Sequence, residues 1–501
     1  MKNIKVQSLT CHVLEGVFQE SLRNVLQQMK TSSRFLTPEE VCKQYTEKQF
    51  KEKFGCERST VFNGFTNSPF LEQIKSEEEL FGQKFSEVFL NVQKLEIKPR
   101  LTYRVKQGIN PSDLFESNQD DSITIIDCKG ALLIIFYQTM LSILKKVFGD
   151  DQGRQKFNAL FSWGNDDDSN ALIICPYFEY GRFMGCQNVP QGINTPSVSL
   201  NYFLTFFSEI QTSIFIGDMV YFRNHVDYFK KHPEGFAHGF STACVAQNQF
   251  WSMDLRKSTT WEGFKGALVD AYNEPTGSQG VFVNKISKQD LPNVFEVMAR
   301  LDIEKLVSFL NNFSDLISIH RVTNRIDRKL RDLRKAFSIV QWLSNRGRKP
   351  EIYSNYCKEM LSETQKILGE FFQVLFQLPI GQYSDRKLEL LLSIMMLNQA
   401  VKNKGTIEKL SEKDEKRYKL IFDPALKGDF DLAFRRAAFL GDLLLLENIY
   451  PHVKDINGSG QSGKTAFDVV SDPKAKEFLL SKGVQSGRKE PSIIPNKRQK
   501  H

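Results

Sequence analysis

The sequence predicts a multidomain α+β protein, and three observations support this prediction. A chain of 501 residues exceeds what one hydrophobic core usually holds, so three or four structural units are expected. In the middle of the chain, one long apolar helical pattern precedes several strand-like runs, an order that suits an α+β core better than a doubly wound sheet. From about residue 291 to 420 the apolar residues recur at helical spacing alone.

The predicted organisation has five parts. They are a helical N-terminal region (1–95), a cysteine domain (100–285), an all-helical bundle or linker (286–420), a short helical repeat segment (421–485) and a disordered basic tail (486–501). The helical region is assigned from a periodic apolar face with basic residues on the other faces, typical of a solvated amphipathic helix in a bundle. Its apolar face consists of Ile326, Leu330, Leu333, Phe337, Val340 and Leu343.

Composition excludes several classes of protein. The net charge of +8 is modest for 501 residues, so no nucleic-acid partner is predicted. The most apolar stretch, 131–144, is shorter than the roughly 20 residues that cross a bilayer. It is therefore predicted to be a buried core helix, and no membrane span is expected.

The eight cysteines include no CxxC pair, which argues against a disulfide framework or a thiolate zinc site. Reduced thiols and the lack of a secretory signal predict a cytoplasmic protein. Since the sequence contains neither a glycine-rich phosphate loop nor an HExxH motif, we expect no cofactor and no metal.

Cys128 stands where a strand is predicted to end and a helix to begin. The run Ser122-Ile-Thr-Ile-Ile126 is β-branched, and a helical apolar pattern follows Asp127-Cys128. A helix N-terminus carries partial positive charge and free N–H groups, which favour a thiolate and can hold an oxyanion. The position therefore makes Cys128 a candidate nucleophile.

The sequence around Cys128 resembles the bacterial protein-glutamine γ-glutamyltransferases of spore coats. The likeness begins with Asp127-Cys-Lys-Gly-Ala and continues through Lys156-Phe-Asn158. It extends to further motifs in the same order, Gly108-Ile-Asn-Pro-Ser-Asp113 upstream and Gly217-Asp-Met-Val-Tyr-Phe-Arg-Asn224, His232-Pro-Glu-Gly235 and Gly266 to Tyr272 downstream. The resemblance covers about a third of the chain and implies a transglutaminase-like, papain-type fold.

The resemblance also implies a reaction. The Cys128 thiolate would attack a glutamine carboxamide, ammonia would leave, and a lysine amine would take the acyl group from the thioester. Water in place of the amine gives deamidation, and a peptide in place of glutamine gives proteolysis. Each version needs a group that moves the proton.

The proton-transfer residue can be assigned in two registers. In one, Phe240 stands at the family's glutamate position and Met253 at its histidine position, so the site is inactive or rebuilt. In the other, Phe236-Ala-His-Gly239 resembles the family's histidine motif, which makes His238 the base. Alternatively, in the first register His238 lies two residues before the glutamate position and shares its face of the strand. Cys128, His238 and Asp254 then follow the Cys–His–acid order of papain-like enzymes, although Asp254 should point to the face opposite Met253.

The C-terminal segment resembles ankyrin repeats. Small Ala437 and Ala438 allow close helix packing, Gly441-Asp442 makes a turn, and Gly463-Lys-Thr-Ala466 opens the next helix. Such repeats imply a protein partner or protein substrate bound at this end. A cysteine hydrolase joined to ankyrin-like repeats is similar in make-up to effectors that intracellular bacteria deliver into host cells. Two function classes follow, a protein-modifying enzyme and a catalytically inactive adaptor.

Overall fold

The computed structural model confirms a multidomain α+β architecture. It describes these residues: 9–63, 65–74, 102–117, 122–164, 170–174, 198–207, 213–232, 237, 239–275, 284–291, 295–314, 316–317, 320–321, 323–326, short stretches between 362 and 399, 410–460 and 462–487. The chain forms two compact units, Met1–Arg325 and Ile326–His501. The first unit includes both the N-terminal region and the cysteine domain predicted from sequence. Most of the predicted helical region, 286–420, and the tail beyond 487 lie outside the described residues.

The helices of the first unit surround its sheets. In chain order they are α1 (Cys11–Thr31), α2 (Pro38–Gln44), α3 (Glu47–Phe54), α4 (Asp113–Glu116), α5 (Cys128–Phe148), α6 (Asp150–Phe161), α7 (Val198–Tyr202), α8 (Tyr228–Lys231), α9 (Trp261–Asn273) and α10 (Ile303–Asn311). A 3-10 helix, Arg58–Asn63, follows α3. Polar side chains cap several of these helices, as when Thr37 and Glu40 form a capping box at the start of α2.

Twelve strands are described in this unit: β1 (Phe35–Leu36), β2 (Phe65–Thr66), β3 (Leu71–Ile74), β4 (Thr102–Val105), β5 (Thr124–Ile125), β6 (Ile173–Ile174), β7 (Leu204–Phe206), β8 (Met219–Arg223), β9 (Gly239–Ala246), β10 (Gln249–Ser252), β11 (Lys257–Thr259) and β12 (Phe295–Leu301). The largest sheet is antiparallel, in the order β11-β10-β9-β8-β12-β7. Two three-stranded sheets have the orders β1-β5-β2 and β3-β4-β6.

The two faces of the large sheet bury different helices. On one face, Phe222 and Phe240 pack with Phe264 of α9 in an apolar cluster. The other face of β9 contacts α5 and α1. Because side chains alternate along a strand, the register that pairs Phe222 with Phe240 and Tyr221 with Ser241 turns Ser241 away from the Phe240 cluster.

Helix α5 is the central helix of the unit. Its N-cap is Asp127, whose Oδ1 accepts a hydrogen bond of 2.6 Å from the N–H of Gly130. It ends at Gly149, whose positive φ of 88° suits glycine. Its apolar side chains contact α1, α6 and β9. Within the described residues, α5 is the one helix long and apolar enough to cross a bilayer, and 72% of its most apolar stretch is buried. This burial is what the sequence predicted for a core helix.

The described part of the second unit is helical. Its helices are α11 (Glu412–Leu426), α12 (Phe430–Leu440), α13 (Leu443–Ile449), α14 (Ala466–Val469) and α15 (Pro473–Ser481). Ala437 and Ala438 are fully buried, as expected for small residues between closely packed helices. Gly441 turns between α12 and α13 with φ of 66°, and a Cβ there would lie 2.7 Å from Cβ of Asp472.

Candidate active site

Cys128 is the first residue of α5 and lies directly after β5, as predicted. Asp127 caps the helix, and its carboxylate accepts the N–H of Gly130 while its carbonyl accepts the N–H of Ala131. The residue as a whole is partly exposed. The local sequence thus places the thiol at the positive end of a 21-residue helix.

The environment of Cys128 raises the pKa of its thiol. Burial is the main cause, followed by the negative charges of Asp254 and Asp127. The hydroxyl and backbone of Ser241 oppose this effect and lower the pKa. The thiol is therefore protonated at neutral pH, and a nucleophilic role requires a group that removes its proton.

Asp254 lies within electrostatic range of Cys128. It follows β10 in the turn 253–256, where strand alternation no longer decides the direction of a side chain. Met253 is fully buried and Asp254 is exposed, so the two neighbours have different surroundings, and the charge of Asp254 raises the pKa of the Cys128 thiol.

The carboxyl of Asp254 has a raised pKa of about 7. Burial raises it most, and the charges of Glu39 and Asp127 raise it further, while a hydrogen bond from the Ser252 hydroxyl, 3.2 Å from Oδ2, lowers it. The residue as a whole is exposed, and a carboxyl that titrates near neutrality can exchange protons.

The N-terminal segment holds the turn that carries Asp254. Arg256, in the left-handed region with φ of 46°, forms an ion pair with Glu40 of α2. Its guanidinium also donates to the carbonyl oxygens of Met29 at 2.7 Å, Ser32 at 2.9 Å and Phe35 at 2.6 Å. Residues 29–40 therefore support the candidate site.

His238, the predicted base, lies outside the described residues. Two neighbouring histidines that are described serve other contacts. Nδ1 of His225 accepts the N–H of Asp227 at 3.2 Å, and Nε2 of His232 lies 3.0 Å from the carbonyl oxygen of Tyr272. No histidine in the described stretches is among the groups that shift the Cys128 pKa.

The two residues that suggested an inactive site occupy different surroundings. Phe240 packs in the α9 cluster, on the face of β9 opposite Ser241. Met253 is fully buried. Sequence reasoning missed Ser241, Glu39 and Arg256. Ser241 was detectable as a polar residue inside the buried run 239–244, whereas no local pattern singles out the other two.

Across the described residues, no cluster of histidine, cysteine and carboxylate side chains could hold a metal ion. No protein-family model, curated protein or solved structure matches the chain.

Proposed function

We propose that the first unit is a transglutaminase-like, papain-type cysteine domain that acts on a glutamine side chain of a protein. One observation supports this most directly. The Cys128 thiol begins a long buried helix, and Ser241 and Asp254, distant in sequence, both act on it. A nucleophile at a helix N-terminus, next to a hydroxyl and a carboxyl that titrates near neutrality, suits acyl transfer.

The proposed reaction has two steps. Cys128 Sγ loses its proton to a base and attacks the carboxamide carbon, so that a C–S bond forms. The C–N bond then breaks, and ammonia leaves after taking up a proton. An amine then displaces the thiolate to form an isopeptide bond, or water does so to form glutamate. His238 is the proposed base, and protonated Asp254 is suited to donate a proton to the departing nitrogen.

The alternative is a catalytically inactive adaptor, and a specific observation favours it. Burial and two carboxylates all raise the pKa of the Cys128 thiol, whereas cysteine nucleophiles usually have lowered pKa values. In this version the unit presents a binding surface only. Proteolysis at Cys128 is a further alternative with the same nucleophile.

We further propose that the second unit is an ankyrin-like module that binds the protein partner or substrate. Supporting this, its helices pack in turn-connected pairs, and three large apolar side chains are exposed on them. These are Leu420 at 52%, Phe439 at 66% and Leu480 at 58%. The cytoplasmic location, and delivery into a host cell, stay predictions from sequence.

The test uses the full chain with a glutamine-containing peptide and a dansylated primary amine. Ammonia release with amine incorporation indicates transamidation, ammonia release without incorporation indicates deamidation, and cleavage of casein indicates proteolysis. Each activity should disappear in Cys128→Ala and persist in Cys11→Ala, which removes an exposed thiol at the start of α1. If none of the three activities exceeds that of Cys128→Ala, the adaptor is the better description.

A further inference from the structure

Ser241 has a buried hydroxyl with an unused hydrogen-bonding capacity. The residue is fully buried in β9, and among the described residues its Oγ makes no hydrogen bond of ordinary geometry. A buried hydroxyl without a partner is costly because it has lost its hydrogen bonds to water and nothing replaces them. Because its neighbour Thr242, on the opposite face, donates normally to the carbonyl of Val220 at 3.0 Å, the strand itself does not prevent such bonding.

Strand β9 packs against α5, and the Ser241 hydroxyl acts on the Cys128 thiol. It lowers the pKa of that thiol, as does the Ser241 backbone. Lowering a thiol pKa means that the hydroxyl stabilises negative charge at the sulfur more than the neutral form. Ser241 therefore already acts as a donor toward developing negative charge at this point.

A second donor lies at the same place. The first amides of a helix have no acceptor within the helix. In α5 the capping Asp127 satisfies the amides of Gly130 and Ala131, and the described part of the chain offers no acceptor for the amide of Cys128. Within the described residues, neither the Cys128 N–H nor the Ser241 hydroxyl has a hydrogen-bond acceptor of ordinary geometry.

We propose that Ser241 is a further catalytic residue whose hydroxyl donates to the oxyanion formed when Cys128 attacks an acyl carbon. This role rests on the proposed acyl transfer. When the C–S bond forms, the carbonyl π pair moves to oxygen, and Ser241 O–H together with the Cys128 N–H holds that charge. When the leaving group departs with its electron pair, the carbonyl re-forms and both donors are released.

The charges of the site explain why neutral donors are needed. The negative charges of Asp254 and Asp127 act on Cys128, and those of Glu39 and Asp127 act on Asp254. An oxyanion formed at Cys128 is therefore repelled by like charges. Fixed neutral donors offset such repulsion without rearranging during the reaction.

The experiment compares two reactions of Cys128 in the full chain. Iodoacetamide alkylates the sulfur without forming an oxyanion, whereas p-nitrophenyl acetate acylates it through a tetrahedral oxyanion. Rates at Cys128 are measured at one pH by mass spectrometry of the peptide. The ratio of acylation to alkylation cancels any change in thiolate fraction, and alkylation also reports that the site is folded.

In Ser241→Ala the ratio should fall about a hundredfold, the usual loss when one oxyanion donor is removed. Ser241→Thr keeps the hydroxyl and should retain most of the ratio. Thr242→Val, which removes a buried hydroxyl from the opposite face of the same strand, should leave it unchanged. An unchanged ratio in Ser241→Ala overturns the role of Ser241 while leaving acyl transfer intact. If the unmodified protein is alkylated but never acylated at Cys128, the proposed function fails, and this role with it.

Discussion

The charge of Asp254 should control the pH at which Cys128 becomes reactive. The pKa of the Asp254 carboxyl is about 7, so this group is ionised throughout the alkaline range in which the thiol titrates. Burial is the largest cause of the raised Cys128 pKa, and the negative charge of Asp254 is the next largest. Asp254→Asn removes the charge and keeps the size of the side chain, so the pKa of the thiol should fall.

The size of the effect follows from the separate causes. A like charge within about 4–6 Å typically changes a pKa by about 1 to 3 pH units. Burial and the charge of Asp127 remain in the variant, so the midpoint should stay above the ordinary thiol value of about 8.5. Below pH 7 the two proteins should react alike because Asp254 is then mostly protonated in the unmodified protein.

The assay is the rate of iodoacetamide alkylation at Cys128 from pH 6 to 11, measured by peptide mass spectrometry. The matched control is Glu304→Gln, which removes one exposed carboxylate from the same unit and should not move the midpoint. Overlapping profiles for Asp254→Asn and the unmodified protein would show that the Asp254 charge does not reach the sulfur. A higher midpoint in the variant would reverse the sign of the argument.

Two further predictions concern stability, both measured by urea unfolding followed by fluorescence in a Trp342→Phe background, where every remaining tryptophan lies in the first unit. Arg256→Gln should lower the free energy of unfolding by about 2 to 4 kcal/mol because it leaves three backbone carbonyls and a carboxylate without their donor. The control Arg223→Gln, at an exposed ion pair, should lower it by less than about 1 kcal/mol. Equal losses in the two variants would contradict the importance of the Arg256 contacts. Gly153→Ala should destabilise by about 1 to 3 kcal/mol, since its Cβ would lie 2.5 Å from the backbone of α5. The control Gly16→Ala, in open space on α1, should instead stabilise the protein by up to about 1 kcal/mol. A Gly153→Ala variant as stable as the unmodified protein would refute the close packing of α5 on α6.

Part of the candidate site was predictable because it depends on neighbouring residues. A β-branched run, an aspartate able to cap and an apolar helical pattern lie consecutively around Cys128, and each acts over a few residues. The strand–cysteine–helix order and the burial of α5 were therefore predicted correctly.

The surroundings of Asp254 could not be predicted from strand alternation. Alternation holds only while a strand continues, and β10 ends at Ser252. The turn that follows contains Arg256 in a left-handed conformation, which arginine adopts only where surrounding contacts favour it. Those contacts come from residues more than 200 positions earlier in the chain, at Met29 and Glu40.

By itself, the sequence determined the α+β class, the position of Cys128 at a helix start and the core character of that helix, because short-range periodicity and capping encode these features. Only the tertiary structure decided that Ser241 and Asp254 act on Cys128, and that Phe240 packs on the face of β9 opposite Ser241. Electrostatic and hydrogen-bonding effects act over a few ångströms in space, and nothing in the local sequence records which distant segments the sheet brings within that range.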